Sequence, residues 1–408
     1  MFKRFSHFLS YAATDQQTAR ELAGNYDGLL VPGTVAAFQA DGTRGFVLTL
    51  SARTPAPQYT IDPRFPLFQQ PLSPAKRSHI ALAELFGNPD LVQRETPIAP
   101  EAYTNGAIDT MVGYWMLFNR GFTELAMKKF DKYAQRLDEP ILPQNRQRPT
   151  WIIPPYFTAL SSDNRWWQAS ERFWRSAQAQ ARTDERLVRV VATDSAALLG
   201  ELLRHCNESQ LAVWVSKLDE APEERFGLED LRRYGEAIKA AAADGKDLFA
   251  LYGGFFSVLL GNFGLSGSSH GIGYGEARTW LELPQSGPPP ARYYLPHAHR
   301  YVSMDLALFF WREQRYLVEC NCAICAGQSP ALLDYHGLMQ HSVLCRTQEV
   351  QQWSGLPPDQ IVAQLGREAG TFEAGIGAMD VPYSLRKQAD RCPAVLRGWA
   401  QVIGALMH

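Results

Sequence analysis

The sequence predicts an α/β protein built on a (β/α)8 TIM-like barrel, and three observations predict it. Short apolar runs recur between helical patterns along most of the chain, several of them carry no polar alternation, and proline- or glycine-rich breaks separate them. A strand buried on both faces loses the alternation of a half-exposed one, so such runs joined by helices point to a parallel sheet. Their number favours a closed barrel over an open sheet.

In chain order the candidate strands are Gly28–Pro32, Phe46–Leu50, Tyr59–Asp62, Trp151–Pro154, Leu187–Thr193, Leu211–Ser216, Leu248–Tyr252, Ser268–Tyr274, Tyr293–Leu295 and Tyr316–Val318. Eight barrel places leave at least two of these as peripheral hairpins or misreadings. Ser195–Cys206 reads as a helix opened by a Thr193-Asp194-Ser195 cap. Leu228–Ala243 reads as another, apolar at Leu228, Leu231, Tyr234, Ile238 and Ala241. The stretch 79–137 looks helical throughout and fits an insertion, about 79–140, in a barrel region spanning 1–315. Prolines in 54–76 and 140–149 and the run Gly287-Pro288-Pro289-Pro290 are the breaks. Residues 316–408 read as a zinc-binding and helical C-terminal region.

Composition narrows the class. The chain is 46% hydrophobic and 20% charged, with no apolar run long enough to span a bilayer. The start, Met1 to Gln17, lacks the sustained apolar segment of a signal peptide and reads as mature protein. A formal net charge of −2 supplies no global field for nucleic acid, so polynucleotide contacts must come from local patches. With six cysteines and no sign of secretion, the expected compartment is the reducing cytoplasm.

Three of those cysteines fall within six positions, as Cys320-x-Cys322-x-x-Cys325, after a predicted strand. Tetrahedral zinc takes soft ligands of this kind and needs a fourth, commonly a histidine on a following helix. Leu338–Val350 reads as that helix, and His341 near its start is the preferred ligand; His336 and Cys345 stay open, Cys345 lying one turn beyond His341 on the same face. A closed set of four ligands is structural and leaves no place for a catalytic water.

Cys-x-Cys-x-x-Cys followed by a helical histidine, after a β/α series, resembles the zinc site of the tRNA-guanine transglycosylase superfamily. Leu251-Tyr252-Gly253-Gly254 and His270-Gly271-Ile272-Gly273-Tyr274-Gly275-Glu276 resemble the family pair "VQGG … GLAVGE". Leu218-Asp219-Glu220-Ala221 is similar to "FDEC", and the stretch from Ile61 to Gln69 is more distantly similar to "TDSGGFQ". Order and rough spacing agree from about 211 to 350. Tyr252 replaces the base-reading glutamine, and the segment that carries the family's aspartate nucleophile has no counterpart, because Tyr316–Glu319 runs straight into the cysteines. The short span from Cys325 to His341 and the wording of the glycine segment look more like the branch that inserts 7-deazaguanines into DNA than the tRNA branch.

The resemblance implies base exchange: guanine replaced in DNA by a 7-deazaguanine such as 7-cyano-7-deazaguanine, in a protein carrying structural Zn2+. It implies a base-binding set of Tyr252, Gly253, Gly271, Ile272, Gly273 and Glu276. Breaking and remaking a glycosidic bond needs a carboxylate at the sugar and a proton donor for the leaving base. Asp62 and Asp219 both end predicted strands, where barrel enzymes keep their catalytic groups. Asp219 matches the family's purine-reading aspartate, and Asp62 is the candidate nucleophile or general acid/base. Asp62 also reads as a turn residue before proline, and Asp219 as an acid at a helix start. Asp194 and Asp305 read as helix-start residues.

Phosphate contacts are expected from Lys128, Lys129, Lys132 and Arg136, and from Arg146, Arg148, Arg165, Arg172 and Arg175 interleaved with Trp166, Trp167, Phe173 and Trp174. A solvated helix face or a Trp-rich core reads equally from these residues. With so little net charge, a helper protein that delivers the DNA suits the reading, and family enzymes often pair as homodimers through the zinc region. The same exchange on tRNA, and a barrel that binds nucleic acid or a partner subunit without catalysis, are the alternatives.

Overall fold

The computed structural model describes residues 4–11, 15–51, 55–72, 74–93, 95–124, 148–222, 225–272 and 291–408. Eight parallel strands form one curled sheet: β1 (Ser6–Ser10), β2 (Gly28–Pro32), β3 (Gln58–Asp62), β4 (Thr158–Ala159), β5 (Arg189–Thr193), β6 (Gln210–Val215), β7 (Asp247–Ala250) and β8 (Leu265–Gly271). Their order is β3-β2-β1-β8-β7-β6-β5-β4, so the first and last strands are neighbours, as barrel winding requires. The two edges meet through the segment before β4. The Thr150 amide donates to the Tyr59 carbonyl at 2.8 Å, and the Thr60 hydroxyl donates to the Trp151 carbonyl at 2.8 Å. The fold is an α/β, TIM-like barrel with helices around it.

The helices are α1 (Gln16–Glu21), α2 (Gly33–Phe38), α3 (Ala40–Ser51), α4 (Arg77–Leu85), α5 (Asn105–Arg120), α6 (Arg165–Gln180), α7 (Ala196–Arg204), α8 (Arg225–Ala243) and α9 (Phe255–Leu259). After a small antiparallel hairpin, β9 (Arg292–Leu295) and β10 (Arg300–Ser303), come α10 (Met304–Glu313), α11 (Tyr335–Trp353), α12 (Pro358–Gly377) and α13 (Tyr383–Leu406). Among the described residues no helix is long and apolar enough to cross a membrane.

Side-chain alternation divides the strands into an inner and an outer face. Phe8, Leu30, Val190, Ala212, Trp214, Phe249 and Leu251 form one buried cluster with Trp151, Ile153, Tyr156 and Tyr252, which fills the barrel. Phe8 stacks on Trp151 with centroids 5.1 Å apart, and Phe249 meets both rings edge-on. Gly28 makes room for this layer, since a Cβ there would lie 2.6 Å from the Phe8 ring. Outer-face residues of β5 to β8 share a second cluster with α10, α12, α13 and the cysteine loop, so the C-terminal region packs directly against the barrel.

Several predicted elements change. Phe46–Leu50 is not a strand but the second half of α3, where Thr43, Phe46, Val47 and Leu50 are buried at helical spacing. Tyr316–Val318 is not a strand either; Arg315–Leu317 forms a 3-10 turn. Tyr293–Leu295 is a strand of the peripheral hairpin. Ile152 makes only one bridge, to Leu187, and the regular part of that strand comes later, at Thr158–Ala159. Strand β1, within the N-terminal stretch, takes the first barrel place. The helical stretch 79–137 contains α4 and α5, and its part beyond residue 124 lies outside the described residues.

Candidate active site and metal centre

Asp62 ends β3 with its side chain inside the barrel and is wholly buried. Both carboxylate oxygens are engaged. Oδ1 accepts from the Tyr156 hydroxyl at 2.9 Å and from the Arg64 amide at 3.0 Å, and Oδ2 accepts a short hydrogen bond from the Tyr252 hydroxyl. The Arg64 guanidinium lies 5.0 Å from the Tyr252 ring centroid and 5.6 Å from that of Trp214, in cation–π geometry. A buried carboxylate costs too much unless donors and a positive charge surround it, and here they do.

The backbone is bent to achieve this. Arg64 (φ 53°) and Tyr252 (φ 58°) both occupy the left-handed region, which costs a non-glycine residue on the order of 1–3 kcal/mol. Each turn follows the end of its strand and sends the side chain toward Asp62. The Tyr252 amide is held by the Ser269 hydroxyl of β8 at 2.9 Å. Burial drives the acidity of the Tyr252 hydroxyl far below that of free tyrosine; Arg64 opposes the change and Asp62 adds to it. Burial and Asp62 do the same to Tyr156. Burial works against the Arg64 charge, but Tyr252 and Asp62 outweigh it and keep the guanidinium protonated beyond its usual range.

Asp219 does not join this group. Its side chain is 56% exposed; Oδ1 accepts from the Ala221 amide at 2.8 Å, and Oδ2 lies 3.4 Å from Arg391 of α13. The pair Asp62 and Asp219, expected to act together, share no hydrogen-bond partner. The adjacent Glu220 is the acid that turns toward the glycine loop. Its carboxylate accepts from the Gly254 amide (2.8 Å), the Ser257 amide (3.0 Å) and the Ser257 hydroxyl (2.6 Å), capping α9. Lys217 (φ 62°), in the left-handed region, turns the chain just ahead of these acids.

The expected base-binding residues divide likewise. Tyr252 sits in the site, but its hydroxyl is committed to Asp62. A Cβ on Gly253 would lie 2.6 Å from the Ser257 hydroxyl oxygen, so this glycine permits close packing of loop on helix. Gly271 ends β8 opposite Ser10, and the Ile272 side chain belongs to the outer cluster that includes Met339 and Val343 of α11. Gly273 and Glu276 lie outside the described residues, as do Gly275, Lys128, Lys129, Lys132, Arg136 and Arg146. Arg64 and Tyr156 went unnoticed in the sequence. The position of Arg64, two residues after a strand-end acid, is the signal that could have found it; nothing local marks Tyr156.

The second centre lies outside the barrel, between the cysteine loop and α11. The sulfurs of Cys320, Cys322 and Cys325 and a ring nitrogen of His341 all lie within 4.8 Å of one another, and all four residues are buried. His341 Nδ1 is 3.1 Å from Cys325 Sγ and 3.6 Å from Cys322 Sγ. Zinc bound tetrahedrally at about 2.3 Å to sulfur and about 2.0 Å to nitrogen would set such atoms roughly 3.5 Å apart. His341 Nε2 lies 2.7 Å from the Tyr294 carbonyl, which turns Nδ1 to the thiols, and Tyr293 stacks on the ring at 4.4 Å. Amides of Cys322 and Cys325 point at the preceding sulfurs, each at 3.4 Å. The group can hold a metal ion.

Of the two other candidate ligands, His336 is drawn away. Its ring bonds Thr18 (3.0 Å) and Glu21 (2.7 Å), tying α11 to α1. Cys345 stays close, with Sγ 3.8 Å from Cys320 Sγ and 3.5 Å from His341 Nδ1.

The aromatic stripe of α6 is largely core: Trp166, Phe173 and Trp174 are buried. Its arginines are mostly engaged. Arg165 pairs with Asp163 and Glu101, and Arg172 donates to the carbonyls of Tyr103 and Pro100. Arg148 pairs with Asp184, while Arg175 is exposed on a hollow shared with Trp167 and His205. Comparison of the chain with protein-family models and with curated proteins returns no match.

Proposed function

We propose that the protein is a base-exchange transglycosylase that replaces guanine in DNA with a 7-deazaguanine of the 7-cyano-7-deazaguanine type. One observation carries the reading: a wholly buried carboxylate, Asp62, ends a barrel strand with two tyrosine hydroxyls and an arginine gathered on it. Such an acid does little for stability, and barrel enzymes keep their chemistry at this end of the strands. Exchange at a glycosidic bond requires a carboxylate there, and the motif order around Asp62, Tyr252 and the cysteines agrees with it. The target base must leave the stack or start from a single strand, and unpaired DNA is the simpler substrate.

The metal of this reading is zinc, held by Cys320, Cys322, Cys325 and His341. When bound it contributes folding energy and fixes α11 against the hairpin. The chain's own residues do the rest. Glu220 caps α9 and so fixes the Gly253–Gly254 loop, Ser269 holds the Tyr252 backbone, and the Tyr156 hydroxyl and the Arg64 amide hold the Asp62 carboxylate in place.

Nucleosides from DNA and tRNA of cells that express the protein, with the deazaguanine precursor and DNA-delivery partners supplied, test this by mass spectrometry. A 7-deazaguanine deoxynucleoside that disappears with Asp62→Asn is the expected result. Deazaguanine in tRNA alone would move the substrate to tRNA, and none in either would leave a barrel that binds without catalysis.

A further inference from the structure

We propose that Tyr252, not a carboxylate, is the atom donor that attacks the sugar, with Asp62 as its base; the assignment rests on the base-exchange reading above. Covalent catalysis needs an attacking group, a base in hydrogen-bond contact with it, and a third group that orients the base. Tyr252, Asp62 and Tyr156 stand in that relation, because one carboxylate accepts both hydroxyls on different oxygens. Asp62 itself is badly placed to attack. Each of its oxygens already accepts a hydrogen bond, so its free electron density is directed at donors. The same geometry suits it to receive the Tyr252 proton.

Arg64 completes the arrangement. Its guanidinium lies over the Tyr252 ring at 5.0 Å and supplies positive charge beside a phenolic oxygen that is losing its proton. The two left-handed backbone turns, at Arg64 and Tyr252, converge on this one contact.

The step balances. The phenolic oxygen bonds to C1′ as the C1′–N9 bond breaks with its electron pair on guanine. The phenolic proton passes to Asp62 and from it to the departing base, which leaves neutral. In the return step the incoming base gives its ring N–H proton to Asp62 and bonds to C1′. The aryl ether bond breaks with its pair on Tyr252, which recovers the proton. Two inversions retain the configuration, and no oxidant or metal takes part.

The test uses the full-length, zinc-loaded protein with a guanine-containing single-stranded deoxyoligonucleotide, quenched before 7-cyano-7-deazaguanine is added. Peptide mass spectrometry of the wild type should find a sugar adduct on Tyr252. Tyr252→Phe should retain zinc and its fold, show no adduct, and exchange roughly 10³-fold more slowly or worse. Tyr156→Phe, a change at a positioning residue, should move the acid limb of the kcat/KM pH profile while the adduct stays on Tyr252. An adduct on any carboxylate, or exchange by Tyr252→Phe within ten-fold of wild type, overturns the assignment and leaves base exchange standing. Failure of the wild type to exchange any base on DNA or tRNA overturns both.

Discussion

The Tyr252 hydroxyl donates to Asp62 across the barrel interior, joining the ends of β7 and β3 from positions 190 residues apart. Neither residue is adjacent to the other in any local motif; the winding of the sheet makes the contact. From it follows an asymmetry between two aspartates that the sequence ranks together.

Asp62→Asn should abolish base exchange, because an amide cannot take a proton and would leave one tyrosine hydroxyl poorly paired. Asp219→Asn should leave exchange within a few-fold of wild type and stability within about 1 kcal/mol, since that side chain is exposed and weakly paired. Exchange assays beside chemical denaturation separate the two. Equal loss of activity from both would place Asp219 back at the chemistry.

The metal centre predicts one zinc per chain, measured by atomic absorption on protein purified without added metal. Cys325→Ser or His341→Ala should lose it and unfold at lower temperature. His336→Ala should keep the metal, because that ring bonds Thr18 and Glu21. Cys345→Ser should keep it as well; loss of metal there would make Cys345 a ligand in place of one of the four.

Glu220→Ala removes the three hydrogen bonds that cap α9. A cost of about 1–3 kcal/mol is expected, with faster hydrogen exchange at the Gly254 and Ser257 amides before global unfolding. Unchanged protection at those amides would show that the glycine loop is held by other means.

Two buried histidines set a pH window. Burial works against charge on His299, but Glu349 at 2.6 Å and Glu368 at 3.1 Å outweigh it and raise its pKa from 6.5 to about 9. The folded state therefore holds this proton more tightly than the unfolded one. Its contribution is complete below pH 6.5 and disappears as pH rises through about 9. His7 is the opposite case: burial, with Arg346, lowers it to about 3, so its contribution is complete above pH 6.5 and is lost as pH falls toward 3. Thermal melts should peak near pH 6.5, and His299→Gln should flatten the alkaline side. An unchanged alkaline slope in that variant would rule out His299 as its source.

Much of the barrel was legible because strands such as Arg189–Thr193 and Gln210–Val215 are buried on both faces and read as unbroken apolar runs. A window that is too short misleads. Phe46–Leu50 looks like a strand alone, and only with Thr43 included does its helical spacing emerge. The cysteine cluster was legible because metal ligation dictates residue type and spacing together. Sequence could not say which of two adjacent acids reaches the glycine loop, since that depends on the long-range approach of Gly254 and Ser257 to Glu220. Tyr156 reaches Asp62 from a segment with almost no regular pairing, so no periodicity marks it.

The central claim is that the site around Asp62 exchanges a base, and isotope release measures it most directly. Single-stranded DNA carrying tritiated guanine is incubated with zinc-loaded protein, with and without 7-cyano-7-deazaguanine. The account predicts guanine released in step with deazaguanine incorporated, and none released by Asp62→Asn. Undiminished release by that variant, or no release from DNA or tRNA by the folded wild type, would contradict it.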